Sequence, residues 1–288
     1  MKRALFACSL ATALAHAELP DIHTIAPDLT VPAMADDVPA AGRRVRQMTT
    51  GWEKTAVYHA LYLPVDWSVE KDWPVIVEWP GNGGYKNALG DECSGLPEGC
   101  KLGYGVTGGA GAIWVCAPFL NAAGTGIAEK WWGDPPDYDV APTLAYVRAM
   151  VREVCARFGG DASRVVLAGF SRGSLAVNRL GLHDDETAKL WRAFLCYSQH
   201  DGVRTWPYPG SDPASALVRL ERLHGRPEFI CGEGTNADDT REFLRTAGLL
   251  PGAFTIVPTG FRNHNDAWVL RPSEAREKLR AWFRKAVK

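Results

Sequence analysis

Seven short apolar runs, most of them separated by stretches of helical periodicity, limit what this chain can fold into more than any other feature. Residues 57–63, 74–79 (PVIVEW), 112–119 (AIWVCAPF), 165–168 (VVLA), 193–197, 228–231 and 253–257 read as strands. Several are apolar at nearly every position, which a strand requires only when its sheet is covered on both faces. Residues 140–158, 172–182, 213–224, 239–247 and 273–287 read as amphipathic helices. In the first of these, Leu144, Val147, Val151, Val154 and Phe158 recur at helical spacing, with Arg148, Arg152 and Arg157 on the opposite side. Alternating strands and helices imply right-handed crossovers, hence an α/β fold with a mostly parallel central sheet flanked by helices on both faces. No internal repeat is visible. The glycine-biased segment 103–111 (GYGVTGGAG) reads as a loop, and its glycines do not match dinucleotide-binding spacing.

The fourth run leads directly into Gly169-Phe170-Ser171-Arg172-Gly173 and then a helical stretch. A Gly-x-Ser-x-Gly string alone is a weak signal, but a sharp strand-to-helix turn gives it a mechanism. Such a turn forces the serine into a strained conformation and crowds its neighbours, so the residues two before and two after must lack side chains. It also lifts the serine Oγ clear of the sheet edge and aims the helix N-terminus at a developing oxyanion.

On these residues and this element order, the region from about residue 57 to the C-terminus resembles secreted serine esterases of the α/β-hydrolase superfamily. The resemblance implies Ser171 as nucleophile. It also implies an oxyanion hole from the glycine-rich turn after PVIVEW, Pro80-Gly81-Asn82-Gly83-Gly84-Tyr85. This turn lacks the histidine often found there; the donors expected are the backbone N–H of Asn82 or Gly83, paired with that of Arg172. The general base is expected after the last strand, where His264 is the only histidine. The acid is expected after the run 228–231, in the loop Gly232-Glu233-Gly234-Thr235-Asn236-Ala237-Asp238-Asp239-Thr240. Asp238 and Asp239 both fit, Glu233 fits less well, and Asp201 after the preceding strand is a rival. His23, His59, His183 and His224 read as structural. Nothing in the spacing demands a metal cluster of His200, Asp201, His264 and Asp266, so neither metal nor organic cofactor is expected.

At the N-terminus, Lys2 and Arg3 precede an apolar stretch ending in Ala15-His16-Ala17, which reads as a signal peptide over residues 1–17. A membrane span needs about 20 apolar residues, and polarity arrives too early here. The expectation is a secreted or periplasmic protein with no membrane association after cleavage. Residues 18–42, with four prolines, read as an extended lead-in without a core of its own, and residues 43–288 as a single domain. Lysines and arginines number 32 against 33 acidic residues, which supplies no field to hold nucleic acid. Export makes cysteines informative: Cys93 and Cys100 flank a flexible polar loop and are expected to pair, whereas Cys116, Cys155, Cys196 and Cys231 read as small buried hydrophobes.

Several of the eleven tryptophans fall on loops expected at the active edge. Trp131, Trp132 and Trp206 are candidate substrate contacts, with His200 beside them; flat aromatic walls suit sugar rings, aromatic acyl groups or polyester repeats. The expected activity is hydrolysis of carboxylic esters, carbohydrate-linked or polymeric, of the kind feruloyl and acetyl xylan esterases or polyester depolymerases act on. The alternatives are a serine peptidase on the same fold and a non-catalytic glycan-binding protein.

Overall fold

The computed structural model describes residues 18–288; the expected signal peptide, 1–17, lies outside them. Its strands are β1 (Met34–Ala35), β2 (Arg44–Gln47), β3 (His59–Tyr62), β4 (Trp73–Trp79), β5 (Tyr85–Lys86), β6 (Glu92–Cys93), β7 (Ile113–Cys116), β8 (Gly160–Phe170), β9 (Ala193–Tyr197), β10 (Glu228–Gly232) and β11 (Phe254–Pro258). Nine of them form one sheet in the order β1-β2-β3-β7-β4-β8-β9-β10-β11, and β5 and β6 make a small hairpin apart from it. From β7 to β11 every pairing in the nine-stranded sheet is parallel; antiparallel pairing within that sheet is confined to β2 with β3 and β3 with β7.

The helices are α1 (Leu102–Thr107), α2 (Ala141–Phe158), α3 (Arg172–Arg179), α4 (Asp185–Ala188), α5 (Pro213–Leu220), α6 (Asn236–Thr246) and α7 (Glu274–Ala286). Side chains along the central strands alternate between two cores. Val75, Val77 and Val115 pack with Leu144, Val147 and Val151 of α2, whereas Ile76 and Trp114 pack with Leu102 of α1 and Leu279 and Phe283 of α7. Burying each such side chain contributes about 1.5–3 kcal/mol, which is why the strands are apolar on both faces. No helix among the described residues is long and apolar enough to cross a membrane.

One segment differs from the sequence reading, and the lead-in docks onto the domain. The glycine-biased stretch contains α1, whose first N–H groups, from Lys101, Leu102 and Gly103, are accepted by the buried Glu78 carboxylate of β4. Gly103 and Gly105 let that helix approach closely: a Cβ would lie 2.1 Å from Trp114 at the first and 2.3 Å from Val269 at the second. The proline-rich lead-in is also tied down. Ile22 is fully buried, its carbonyl accepts from Arg271 Nε at 2.6 Å, and β1 adds to the sheet beside β2.

Candidate active site

β8 ends at Phe170 and α3 begins at Arg172, leaving Ser171 alone in the turn with φ 53° and ψ −113°. That conformation is costly for a residue with a side chain. The flanking glycines are obligatory: a Cβ on Gly169 would lie 2.1 Å from the Gly173 carbonyl oxygen, and one on Gly173 would lie 2.1 Å from that of Trp79. Ser171 donates its N–H to the Tyr197 carbonyl of β9, which anchors the turn to the sheet.

His264 lies in the loop after β11, with Nε2 3.0 Å from Ser171 Oγ. Its ring sits between Tyr85 and Phe170, at centroid distances of 5.0 and 4.9 Å. The loop is held by Asp91, whose buried carboxylate accepts from His264 N at 3.1 Å, Asn263 Nδ2 at 3.0 Å, Asn265 Nδ2 at 3.2 Å and Asn87 Nδ2 at 2.9 Å. The Tyr197 hydroxyl adds contacts to the Asn263 and Asn265 carbonyls. Sequence reading missed Asp91, because it lies far from His264 along the chain.

The carboxylate that meets His264 is Glu233, immediately after β10, with Oε1 2.7 Å from Nδ1. Asp238 and Asp239 are not brought to the imidazole: both sit in the first turn of α6, where Asp238 pairs with Arg241 and Asp239 lies 3.3 Å from Arg204. A helix starting at Asn236 carries them past the sheet edge and toward solvent. Asp201 is buried elsewhere, bound by Arg219 at 2.6 Å and the Tyr208 hydroxyl at 3.2 Å, with burial pushing its carboxyl above the usual range against the pull of Arg219.

Of the expected oxyanion donors, Gly83 is already used, donating to the Glu129 carbonyl at 2.7 Å. The Asn82 N–H has no acceptor among the described residues, and Arg172 stands at the first position of α3, where an N–H has no intrahelical partner. Both residues also use their side chains. Asn82 Oδ1 accepts from Trp131 N at 2.9 Å. The buried Arg172 guanidinium donates to the carbonyls of Ala128, Trp131 and Gly95 and lies over the Phe119 ring; burial lowers its pKa to about 9. The turn at Asn82 and Gly83 and the turn at Ser171 and Arg172 are thus both fastened to the segment 128–131.

That segment separates the two tryptophans. Trp132 is fully buried against Phe119 and Tyr208 and is a loop anchor, not a substrate contact. Trp131, half-buried at φ 54°, packs its ring 5.7 Å from that of the half-buried Trp206. His200 is likewise no substrate contact: it is fully buried, with Nε2 3.2 Å from Glu228 Oε1. A cavity of about 500 Å³ borders the oxyanion turn, lined by Gly84, Lys86, Ser94, Leu96 and Glu129 among others.

Cys93 and Cys100 are both free thiols and do not pair. Cys93 is half-buried against the turn after β4, where a Cβ on Gly81 would come within 3.0 Å of its Sγ, and Cys100 is fully buried in the same core with Cys116. His200, Asp201, His264 and Asp266 are separated into four different pairs, the last with Lys101 at 2.8 Å. Glu78, Cys100 and Cys116 form a buried group with metal-ligand donors, but both Glu78 oxygens already accept N–H groups, including the Trp114 indole at 2.8 Å.

No family model matches the chain, and no curated protein matches it in sequence. Solved structures do match. A thermostable esterase superposes with a TM-score of 0.50 and 16% identity over 82% of this chain and 62% of its own. Esterase Est22 gives 0.52 and 15% over 85% and 79%. A post-proline cleaving enzyme from Rickettsia typhi gives 0.51 and 13% over 85% of this chain but 37% of its own. This chain therefore spans under two thirds of the first and third of these neighbours. With its mostly parallel nine-stranded sheet covered on both faces and the strand-turn-helix around Ser171, the chain has the α/β-hydrolase fold.

Proposed function

We propose that this protein is a serine hydrolase that cleaves carboxylic esters through an acyl-enzyme. The observation that carries the reading is the continuous chain from Ser171 Oγ to His264 to Glu233, at 3.0 and 2.7 Å. In this reading His264 Nε2 takes the Ser171 proton as Oγ attacks the ester carbonyl, while Glu233 accepts from Nδ1–H and stabilises the imidazolium. The Asn82 and Arg172 N–H groups receive the tetrahedral oxyanion, and the α3 N-terminus favours its charge. Collapse expels the alcohol with the proton from His264. Water, deprotonated by the same nitrogen, then releases the acid and restores Ser171.

The substrate class we propose is carbohydrate-linked or polymeric esters, met outside the cytoplasm. Trp131 and Trp206 supply aromatic surface beside the oxyanion turn, and the adjoining cavity with Lys86 and Glu129 suits a hydroxylated alcohol component. The N-terminal leader in the sequence supports export.

The test is labelling with a fluorophosphonate followed by turnover of nitrophenyl acetate. Stoichiometric labelling at Ser171, and loss of labelling and turnover in Ser171→Ala, are expected. Undiminished hydrolysis by Ser171→Ala overturns the reading. Faster cleavage of peptide amides than of matched esters would favour the peptidase reading, and saturable glycan binding without turnover the non-catalytic one.

A further inference from the structure

We infer that Ser198 is a positioning residue for the Glu233–His264 pair, an inference that rests on the serine-hydrolase reading above. Ser198 follows β9 directly, is 2% exposed, and holds φ 83°, a left-handed conformation uncommon for serine. Its backbone N–H donates to the Cys231 carbonyl of β10 at 2.8 Å, so the strained turn is pinned between two strands. From there its Oγ lies 2.8 Å from Glu233 Oε1 and 2.9 Å from His264 Nδ1. With the third side at 2.7 Å, the three atoms form a closed triangle.

Hydrogen inventory decides the roles. An ionised Glu233 only accepts, so the Ser198 O–H donates to Oε1, and Nδ1–H of His264 points into the same corner with Ser198 Oγ as its second acceptor. Asn236 completes the arrangement, its Nδ2 lying 2.9 Å from Glu233 Oε1 and 3.4 Å from Ser198 Oγ. Glu233 Oε2 is buried with no partner among the described residues, so every fixed hydrogen bond to this carboxylate converges on the oxygen that faces His264. Glutamate has one more rotatable bond than aspartate and more freedom to lose on being fixed. Ser198 removes that freedom and keeps Nδ1–H directed inward, leaving Nε2 free to act as base.

The experiment compares Ser198→Ala and Ser198→Gly with the unaltered full chain, reading kcat per fluorophosphonate-labelled site so that unfolded material does not count. Alanine keeps the strained backbone and glycine relieves it, and neither has the hydroxyl. Both are expected to lower kcat about tenfold with KM within about twofold, as for an interaction that acts in the transition state. In a Glu233→Gln background the same change should cost less than about twofold, because the carboxylate it holds is gone. Unchanged kcat per labelled site in Ser198→Ala, full activity in Ser198→Gly, or an equal loss in both backgrounds overturns the assignment. Absence of labelling and turnover in the unaltered protein would instead overturn the serine-hydrolase reading itself.

Discussion

Glu233 reaches the imidazole of His264 from the last turn of sheet edge before α6, with 2.7 Å between Oε1 and Nδ1, while the two aspartates five and six residues further on face solvent. Replacing Glu233 with glutamine keeps the shape and removes the charge that stabilises the imidazolium. Glu233→Gln should lower kcat by roughly 10³- to 10⁴-fold with KM little changed. Asp238→Asn and Asp239→Asn should each retain at least about half of the activity. Steady-state kinetics on a nitrophenyl ester separates the three.

Asp91 accepts four N–H groups from the histidine loop and Asn87, and has no ion pair among the described residues. An asparagine there would present an NH₂ to the amides of Asn263 and Asn265 and leave donors unsatisfied, at a cost of about 1–3 kcal/mol each. Asp91→Asn is expected to lower Tm and to slow fluorophosphonate labelling of the folded fraction about tenfold or more. Equal labelling rates in variant and parent would show that the loop holds His264 without it.

Trp131 and Trp132 should respond differently to alanine. Trp132 is fully buried among Phe119 and Tyr208, so its truncation should cost about 3–5 kcal/mol of stability and affect all substrates alike. Trp131→Ala should leave hydrolysis of a small acetate ester within about threefold and slow cleavage of a feruloylated oligosaccharide much more. Equal losses on both esters would mean that Trp131 only braces the oxyanion turn.

His200 and Glu228 form a buried pair against α3, both bonded to its Asn178. Burial lowers the His200 pKa, but Glu228 outweighs it and the net shift is upward; burial raises that of Glu228, but His200 and its other hydrogen-bond partners bring it below its usual value. The stability from His200 is therefore complete below about pH 6.5 and is lost as pH rises through its raised pKa. That from Glu228 is complete above about pH 4.5 and is lost as pH falls through its lowered one. The Tm difference between the parent and Glu228→Gln should be largest between these values and shrink on either side, which thermal melts across pH will measure.

Local pattern carried the information for the central strands and for the turn at Ser171. The unbroken apolar run Val75, Ile76 and Val77 is the signal of a strand covered on both faces, and the two glycines around Ser171 answer a backbone crowding that exists within five residues. His264 was legible for a similar reason, as the single histidine after the last strand. The carboxylate that meets His264 was not legible, because Glu233, Asp238 and Asp239 share one loop in sequence and differ only in where β10 stops and α6 begins. A shift of a few residues there rotates a carboxylate from the sheet edge to solvent.

What the sequence determined by itself, then, was the alternation of elements and the choice of Ser171 and His264 as candidate nucleophile and base, because these rest on short-range sterics and chain order. Tertiary structure alone decided which side chains converge. It brought Asp91 from a distant loop to the backbone of His264, placed the Ser198 hydroxyl within reach of both His264 and Glu233, left Cys93 and Cys100 unpaired, and buried Trp132 while leaving Trp131 partly open. It also made a helix of glycine-rich residues by supplying the Glu78 carboxylate as its N-terminal acceptor. Each of these depends on contacts between residues far apart in the chain, and hydrophobic periodicity has no term for where a side chain beyond its own element will end.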